Sequence, residues 1–463
     1  MAIVIYIDRD LCTGCRRCAE ICPTGAIEGN QGEPQIINRE ICVNCGQCVQ
    51  ICSAYASPYT TSPETMAAKN RERRLLPAAA PEPLFAAYNE SHEELVREAL
   101  ARPDLFNAVQ FAPAIRFALA EDFGLSPQVV TVGRIVAALR RLGFKYVYDT
   151  NFAADLTVME EGYELLQRLQ GDGALPLFSS CCPAWVKFVE QAYPQLIANL
   201  STCKSPQQMA GAIFKTYTGQ LDPDLRSRHL FVTAVMPCIA KKFECNRPEL
   251  GGSYGRDVDA VLTTRELAHL IKDKGIDWHS LAEEEPDQPL GEYSGAGAIF
   301  GVTGGVTEAV LRTAAEVVGG KPLEEIEFHE VRGMAGTRKV NINLGKEQLE
   351  IIIVAGLKNV VPILDDLIAG KASFHFMEVM ACPAGCLSGG GQPKILVETY
   401  RGSIYRQRAA SIYNHDRDLP VRKAHENPAI KQLYADFLGQ PLGELSHALL
   451  HTHYTVRRSE ENV

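Results

Sequence analysis

The spacing of apolar and polar positions predicts short strands alternating with helices over most of the chain. Four apolar, β-rich runs stand at residues 174–178 (ALPLF), 230–235 (LFVTAV), 350–354 (EIIIV) and 375–380 (HFMEVM). Apolar residues recur at helical spacing over residues 155–170, 183–199, 264–273 and 360–368. This alternation predicts open α/β sheets between about residues 85 and 395. The more polar residues 396–463 predict turns and helices that wrap the core.

The first sixty residues follow a different pattern, because they repeat internally. The segment DRDLC at 8–12 matches NREIC at 38–42. Each half has a short apolar segment, Ile3–Ile7 or Gln35–Ile37, ahead of a run of cysteines. Half-domains of this size bury too little apolar surface to fold unaided, so we expect metal clusters to stabilise them.

Both cysteine runs have the spacing of a bacterial two-cluster ferredoxin, in which the fourth cysteine of each run binds the other cluster. The predicted ligand sets for two [4Fe-4S] clusters are Cys12, Cys15, Cys18 and Cys52, and Cys42, Cys45, Cys48 and Cys22. Ser53 stands where the pattern has proline, which removes no ligand. Zinc knuckles and disulfides are the alternatives, but zinc favours two separated ligand pairs.

Composition narrows the class of protein. The chain has 15 cysteines, no basic and apolar leader and no apolar run long enough for a membrane span, which predicts a cytoplasmic protein with metal-binding cysteines. The net charge of -10 argues against nucleic acid as a partner. The proline-rich residues 57–84 predict a linker, and their basic patch Lys69–Arg74 predicts a solvated helix face rather than a docking site.

Most cysteines of the large region follow predicted strands. Cys181 and Cys182 follow ALPLF, Cys238 follows LFVTAV, and Cys382 and Cys386 follow HFMEVM. Sites in open α/β sheets form beyond the carboxyl ends of strands, and a nearby helix N-terminus favours thiolate. These cysteines predict an iron-sulfur site, with buried unligated cysteines as the alternative. The remaining two, Cys203 and Cys245, match no ligand motif and are interpreted as bystanders.

Three longer motifs resemble the signature motifs of [FeFe]-hydrogenases, namely FSSCCPAW (178–185), MPCIAKKFE (236–244) and EVMACPAGCLSGGGQP (378–393). The similarity continues through residues 149–170, 257–267 and 423–434. Departures are mild: Ser179 stands where threonine is usual, and Ala184 and Ala384 stand at common glycine positions. The resemblance implies an α+β ferredoxin-like N-terminal domain followed by an α/β iron-hydrogenase domain with a helical C-terminal wrap. The expected boundaries are 1–56 for the ferredoxin domain, 57–84 for the linker, 85–395 for the catalytic domain and 396–463 for a C-terminal segment like the hydrogenase small subunit.

The resemblance also implies an H-cluster, a [4Fe-4S] cubane bridged by a cysteine sulfur to a diiron unit with CO, CN and dithiolate ligands. By motif position, the cubane ligands are Cys182, Cys238, Cys382 and Cys386, and Cys386 is also the bridge. Cys181 would be left free as proton donor and acceptor, and Lys241 would pair with a cyanide ligand. The rest of the pocket wall is expected from Ala112, Pro113, Ala114, Ser205, Gln207, Met236, Pro237, Phe300 and Met380.

A proton route is implied by the same resemblance. It would lead from Cys181 through Glu161, Ser201 and Glu164 to Arg168 at the mouth. The two glutamates and Arg168 share one helix face by their i,i+3 and i,i+4 spacing, which alone favours a solvated salt-bridge stripe, and the resemblance reverses that preference. Glu160, on another face, is expected to lie outside this route and to serve as an internal control.

The expected activity is the reversible reduction of protons to H2, with electrons from or to ferredoxin or a similar carrier. Maturation factors would insert the diiron unit, and no membrane partner is expected. The alternatives are a slow hydrogen sensor, which usually carries an appended signalling domain, and an iron-sulfur assembly protein, whose relatives lack part of the diiron-binding motif.

Overall fold

The computed structural model describes residues 4–75, 82–129, 131–222, 229–320, 322–323, 325–334, 336–344 and 347–457. Its strands are β1 (Ile5–Ile7), β2 (Ile27–Glu28), β3 (Ile36–Ile37), β4 (Tyr55–Ala56), β5 (Leu84–Phe85), β6 (Ala87–Asn89), β7 (Leu105–Phe111), β8 (Tyr146–Asp149), β9 (Leu177–Phe178), β10 (His229–Met236), β11 (Ala260–Thr263), β12 (Thr337–Leu344), β13 (Glu347–Ala355), β14 (Phe376–Met380) and β15 (Pro383–Cys386).

The helices are mostly short, with two long exceptions, α7 and α16. They are α1 (Arg17–Ile21), α2 (Gln47–Ile51), α3 (Pro63–Glu72), α4 (Glu93–Ala101), α5 (Ile115–Ala118), α6 (Val132–Leu142), α7 (Thr150–Leu169), α8 (Pro183–Ala192), α9 (Pro206–Thr216), α10 (Thr218–Leu221), α11 (Ala240–Glu244), α12 (Thr264–Asp273), α13 (Gly295–Ala298), α14 (Gly305–Gly319), α15 (Val361–Ile368), α16 (Glu398–Asp418), α17 (Pro428–Leu433) and α18 (Glu444–Leu450).

The N-terminal region consists of three two-stranded antiparallel pairs and two short helices that follow the cysteine turns. Strand β2 pairs with β3, β4 pairs with β5, and β1 pairs with β6. Strands β5 and β6 come from residues 84–89, so this pairing crosses the boundary expected at residue 85. Residues 84–89, which lie outside the cysteine repeat, therefore complete the ferredoxin-like unit.

The expected linker contains helix α3, and the prediction of a fully solvated basic face is wrong for two of its residues. Lys69 Nζ and Arg73 Nη2 each lie 2.8 Å from Asp8 Oδ2, and all three side chains are largely buried. The Arg73 guanidinium also stacks 4.1 Å from the ring centroid of Tyr88. Helix α3 is thus attached to the first cysteine loop through a buried ion-pair cluster.

Two four-stranded sheets form the large region and confirm the α/β prediction. The first has the order β11-β10-β7-β8 and is wholly parallel. The second has the order β12-β13-β14-β9, in which only the β12–β13 pair is antiparallel. Helix α7 is almost wholly buried and packs against α9, α13 and α14. The carboxyl ends of the parallel strands leave a shared space for a site.

A strand lies at each of the four predicted apolar runs, but the strand lengths differ from those of the runs. The run at 174–178 yields only the two residues of β9, because Pro176 has no amide hydrogen for a ladder. The helix expected over 183–199 ends as α8 at Ala192 and continues as a 3-10 turn from Pro194. Strands β7, β8, β11 and β12 were not predicted.

The C-terminal region wraps the core as expected. Arg408 of α16 donates to the carbonyl of Leu387 at 2.5 Å and pairs with Glu121. Residues beyond α17 reach back to helix α7 at Glu160. Among the residues that the structure describes, no helix is both long and apolar enough to cross a membrane.

Candidate metal centres and active site

Two small cavities of about 320 Å³ each lie in the ferredoxin-like region. Each is lined by three cysteines of one run and the fourth cysteine of the other. The outer cavity gathers Cys12, Cys15, Cys18 and Cys52, and the inner cavity gathers Cys22, Cys42, Cys45 and Cys48. The structure therefore brings together both sets that the spacing predicts, and Cys15 is exposed whereas Cys45 and Cys48 are buried.

The turns that lead into α1 and α2 present these cysteines. Gly14 and Gly46 have φ of 68° and 77°, in the left-handed region that favours glycine. A Cβ at Gly14 would lie 2.4 Å from the backbone nitrogen of Glu33, and one at Gly46 would lie 2.9 Å from Gly390 Cα. Both turns therefore need glycine for their backbone angle and for close packing.

A lysine accompanies each ferredoxin cavity, Lys187 being buried and Lys394 half-buried. Lys187 Nζ donates to the carbonyl of Cys42 at 2.7 Å, and Lys394 Nζ donates to the carbonyl of Cys52 at 3.0 Å. Burial lowers the pKa of Lys187 to about 8 and that of Lys394 to about 7. Burying an ammonium group is costly without a counter-charge. Both positions therefore suit a neighbouring anionic cluster.

A cavity of about 730 Å³ lies where the carboxyl ends of the parallel strands of both sheets converge. Its wall includes the residues that follow β7, β9, β10 and β14. It gathers most predicted pocket residues, namely Ala112, Pro113, Ala114, Cys181, Cys182, Gln207, Met236, Pro237, Cys238, Lys241, Phe300, Met380, Cys382 and Cys386. Apart from the lysine, the glutamine, Thr150 and the cysteines, this wall is apolar and excludes water.

Ser205 is the exception among the predicted wall residues. Its hydroxyl donates to Glu244 Oε2 at 2.9 Å, and it lines a smaller neighbouring cavity instead. Thr150, Pro183, Pro206, Gly301, Ala381, Gly385 and Gly389 complete the wall and were not predicted.

All five cysteines of this wall have thiols whose pKa lies above its usual value. Burial, together with the charges of neighbouring cysteines, raises the pKa of Cys238 and Cys386 to about 12 and that of Cys382 well above its usual value. Burial also raises the pKa of Cys182. In this apolar space the thiols stay protonated unless a positive metal centre binds them as thiolates.

Lys241 is buried on the same wall. Burial opposes its charge, but the carboxylate of Glu244, 2.9 Å from Nζ, keeps the pKa of Lys241 above its usual value. The ammonium group also donates to the carbonyl of Cys181 at 3.1 Å. Glu244 was missed by sequence reasoning, although its i,i+3 spacing from Lys241 in MPCIAKKFE was an available signal.

Glu161 lies behind Cys181 on α7. It is fully buried, and neither carboxylate oxygen makes a hydrogen bond of normal geometry within the described ranges, although the Ser201 hydroxyl and the Ser180 amide lie near enough to lower its pKa. Burial and the charge of Glu164 raise the pKa of Glu161 to about 8. Its own charge in turn raises the pKa of Cys181, after the larger effect of burial.

The next predicted residues form a continuous hydrogen-bonded chain. Ser201 Oγ donates to Glu164 Oε2 at 2.7 Å, and Arg168 Nη2 donates to Glu164 Oε1 at 2.6 Å. Arg168 is itself buried and also donates to the carbonyls of Ala174, Ala198 and Leu200. It therefore lies under the surface rather than at an open mouth, contrary to expectation.

Glu160 is not the simple control residue that we expected, because it has a structural role. It is fully buried and accepts hydrogen bonds from Tyr434 Oη at 2.5 Å and from the amide of Leu442 at 2.9 Å. His451 Nε2 lies 3.1 Å from the same carboxylate. Glu160 therefore anchors the C-terminal wrap on α7, which the sequence did not indicate.

Family models match most of the chain. Residues 106–390 match the iron only hydrogenase large subunit, C-terminal domain, and residues 402–457 match the iron hydrogenase small subunit. Residues 5–28 match a 4Fe-4S binding domain.

Named relatives agree with these matches. NADP-reducing hydrogenase subunit HndD of Solidesulfovibrio fructosivorans is 51% identical over 78% of this chain and 62% of the relative. Iron hydrogenase 1 of Clostridium pasteurianum is 42% identical over 80% of this chain and 65% of the relative. The chain therefore spans less than two thirds of the length of these two relatives.

Two further similarities bear on the alternatives. Cytosolic iron-sulfur assembly component 3 of Mus musculus is 32% identical, over 79% of this chain and 79% of the relative. A solved [FeFe]-hydrogenase structure from Chlamydomonas reinhardtii is 39% identical, covers 80% of this chain and 100% of its own chain, and superposes with a TM-score of 0.70. With the large-subunit model matched over 285 residues, the chain belongs to the iron-only, or [FeFe], hydrogenase family.

Proposed function

We propose that this protein is a hydrogenase that interconverts H2 with two protons and two electrons. The observation that carries the proposal is the 730 Å³ cavity, where five cysteines and one buried lysine share a mostly apolar wall at the ends of two sheets. A cavity of this kind can hold a large metal cofactor away from water. The family membership supports hydrogenase over assembly protein, because the hydrogenase relatives are the more similar ones.

The cofactors are two [4Fe-4S] clusters and an H-cluster, and the donor sets fit them. Each ferredoxin cavity offers four cysteines, as a cubane requires. In the large cavity, Cys182, Cys238, Cys382 and Cys386 would hold the cubane, and Cys386 would bridge to the diiron unit. The diiron unit supplies the site where protons and electrons combine.

The remaining wall residues would position and enclose the diiron unit. Lys241 presents a buried, charged donor suited to an anionic ligand such as cyanide. Met236, Met380 and Phe300 provide a polarizable, dry surface. Ala112–Ala114, Pro237 and Gln207 close the wall, while Ser205 would act only by holding Glu244.

Protons would move along Cys181, Glu161, Ser201, Glu164 and Arg168. Glu161, with its pKa near 8, can hold a proton at neutral pH and release it, as a general acid and base requires. The bonds from Ser201 and Arg168 to Glu164 support the outer half of the route. Buried Arg168 would orient Glu164 rather than exchange protons with solvent itself.

Electrons would come from or go to ferredoxin or a similar carrier through the outer cavity, where Cys15 is exposed. One relative is named as NADP-reducing, so a further subunit could join the route to a nucleotide. We propose a cytoplasmic location, where 15 reduced cysteines are maintained, and a need for maturation factors to insert the diiron unit.

Iron analysis and infrared spectroscopy of the matured protein test this proposal. Three cubanes and one diiron unit predict about 14 irons per chain, with about 12 without maturation. Metal-bound CO and CN should absorb in a region free of protein bands, and the matured sample should evolve H2 from reduced ferredoxin. A fully loaded sample with these bands but negligible turnover would favour the sensor alternative, and one without the bands would favour an assembly protein.

A further inference from the structure

Gln47 connects the ferredoxin-like region to the large cavity. It begins α2 between Cys45 and Cys48, and it is buried. Its Nε2 donates to Cys382 Sγ at 3.1 Å and to the carbonyl of Ser388 at 3.0 Å. The amide of a residue in the inner cluster loop thus contacts a proposed ligand of the H-cluster cubane and the carbonyl of Ser388, which follows the proposed ligand Cys386.

We propose that Gln47 raises the reduction potential of the H-cluster cubane by hydrogen-bonding to its ligand Cys382, a role that rests on the ligand assignment made above. The reduced cubane carries one more negative charge than the oxidised cubane. A donor aimed at a ligand sulfur therefore stabilises the reduced form more than the oxidised form. Burial strengthens the effect, because little water screens the dipole.

The packing around Gln47 holds its amide in place. A Cβ at Gly46 would lie 2.7 Å from Ile239 Cδ1, which shows how closely this turn meets the large region. Gln50, one turn later on α2, donates to the carbonyls of Gly389 at 2.9 Å and Gln392 at 2.6 Å. The loop that carries Cys382 and Cys386 is therefore fixed to α2 by two glutamines, of which Gln47 reaches the sulfur.

The consequence concerns the direction of electron flow. One electron leaves the inner cluster, which is oxidised, and enters the H-cluster cubane, which is reduced, with no ligand exchanged. A higher cubane potential makes transfer toward the H-cluster more favourable.

The test compares Gln47→Met with Gln50→Met in the full, matured chain. Both changes keep side-chain length and remove amide bonds to the same loop, but only the first removes a donor to sulfur. Infrared spectra at controlled potential report the cubane separately from the two ferredoxin clusters, because its reduction alters the diiron CO and CN bands. We expect Gln47→Met to lower the reduced-to-oxidised ratio of the cubane about tenfold at fixed potential, a shift of ~59 mV to more negative values.

Gln50→Met should leave the cubane potential unchanged. Equal shifts in both variants would overturn the proposal in favour of simple loop tethering, and so would an unshifted Gln47→Met protein. If Gln47→Met does not assemble its clusters, Gln47→Leu provides a second apolar replacement with the same expected shift. Retention of the cubane in Cys382→Ala would instead show that the ligand assignment is wrong.

Discussion

At the scale of single residues, two adjacent carboxylates on α7 show how surroundings decide chemistry. Glu160 accepts hydrogen bonds from the C-terminal region, whereas Glu161 has no such partner within the described ranges. Both are fully buried. One helix position therefore separates a structural anchor from a group whose pKa, near 8, suits proton transfer.

Replacing Glu161 with glutamine should lower turnover in both directions by ~10²-fold or more, because glutamine keeps the shape but cannot carry the proton. The infrared bands of the cofactor should stay unchanged. Turnover is measured as H2 evolution and H2 uptake on protein of matched iron content. Wild-type turnover in this variant would exclude Glu161 from the proton route.

The same variant has a pH signature in stability. The folded pKa of Glu161 lies above its unfolded value of about 4.5, so folding binds a proton between pH of about 4.5 and 8. Wild-type stability therefore falls as pH rises through this window, and the variant lacks that fall. Thermal unfolding at pH 6 and pH 8 should show the variant gaining relative stability at the higher pH.

At this scale, only part of the site could be predicted from the sequence. The two ferredoxin ligand sets could be predicted from cysteine spacing, whereas the H-cluster ligands, Lys241 and the Met and Phe wall followed from the resemblance of the motifs to a known family. Gln47 could not, since its contact with Cys382 joins residues 335 positions apart. Ser205 was misplaced for a related reason: its motif position indicates proximity to the cavity but not the direction of its hydroxyl.

At the scale of elements, the segment of helix α3 holds the first cysteine loop in place, a role that its composition did not indicate. Prolines and basic residues suggested a linker, but Lys69 and Arg73 pair with buried Asp8 beside the first cysteine loop. The amides of Asp10 and Leu11 donate to the same carboxylate. Periodicity could not reveal this, because the partner residue lies in a separate, tightly turned segment.

Asp8→Asn should therefore destabilise the ferredoxin-like region by about 3 kcal/mol, since it leaves two buried cations without their counter-charge. Asp10→Asn is the matched control: Asp10 also contacts Lys69, at 3.4 Å, but its side chain is 86% exposed. Its loss should change stability by less than about 0.5 kcal/mol. Loss of cluster absorbance during denaturant unfolding measures both, and equal effects would contradict the ion-pair argument.

At the scale of the whole molecule, three cysteine-lined cavities follow one another from the surface to the core. The outer cavity has the exposed Cys15, and the inner cavity has the buried Cys45 and Cys48. Gln47, which lies between Cys45 and Cys48, donates to Cys382 on the large cavity. The order of domains was predictable from motif order along the chain. Their mutual contact was not, because it depends on packing between α2 and the glycine loop at 389–391.

This order predicts an asymmetric response to loss of the outer cluster. Cys15→Ala removes one of four ligands at the surface end of the route while leaving the inner cavity and the H-cluster wall intact. Iron content should fall by about four atoms, the content of one cubane. Ferredoxin-driven H2 evolution should fall by ~tenfold or more, equivalent to ~1.4 kcal/mol in the barrier. H2 evolution driven by a small dye, which can approach the inner cluster and the H-cluster directly, should fall much less.

Cys245→Ala, which removes a buried cysteine outside all three cavities, controls for the substitution itself. Equal loss with both donors, while the infrared bands remain intact, would show that the outer cluster stabilises the fold and does not carry electrons.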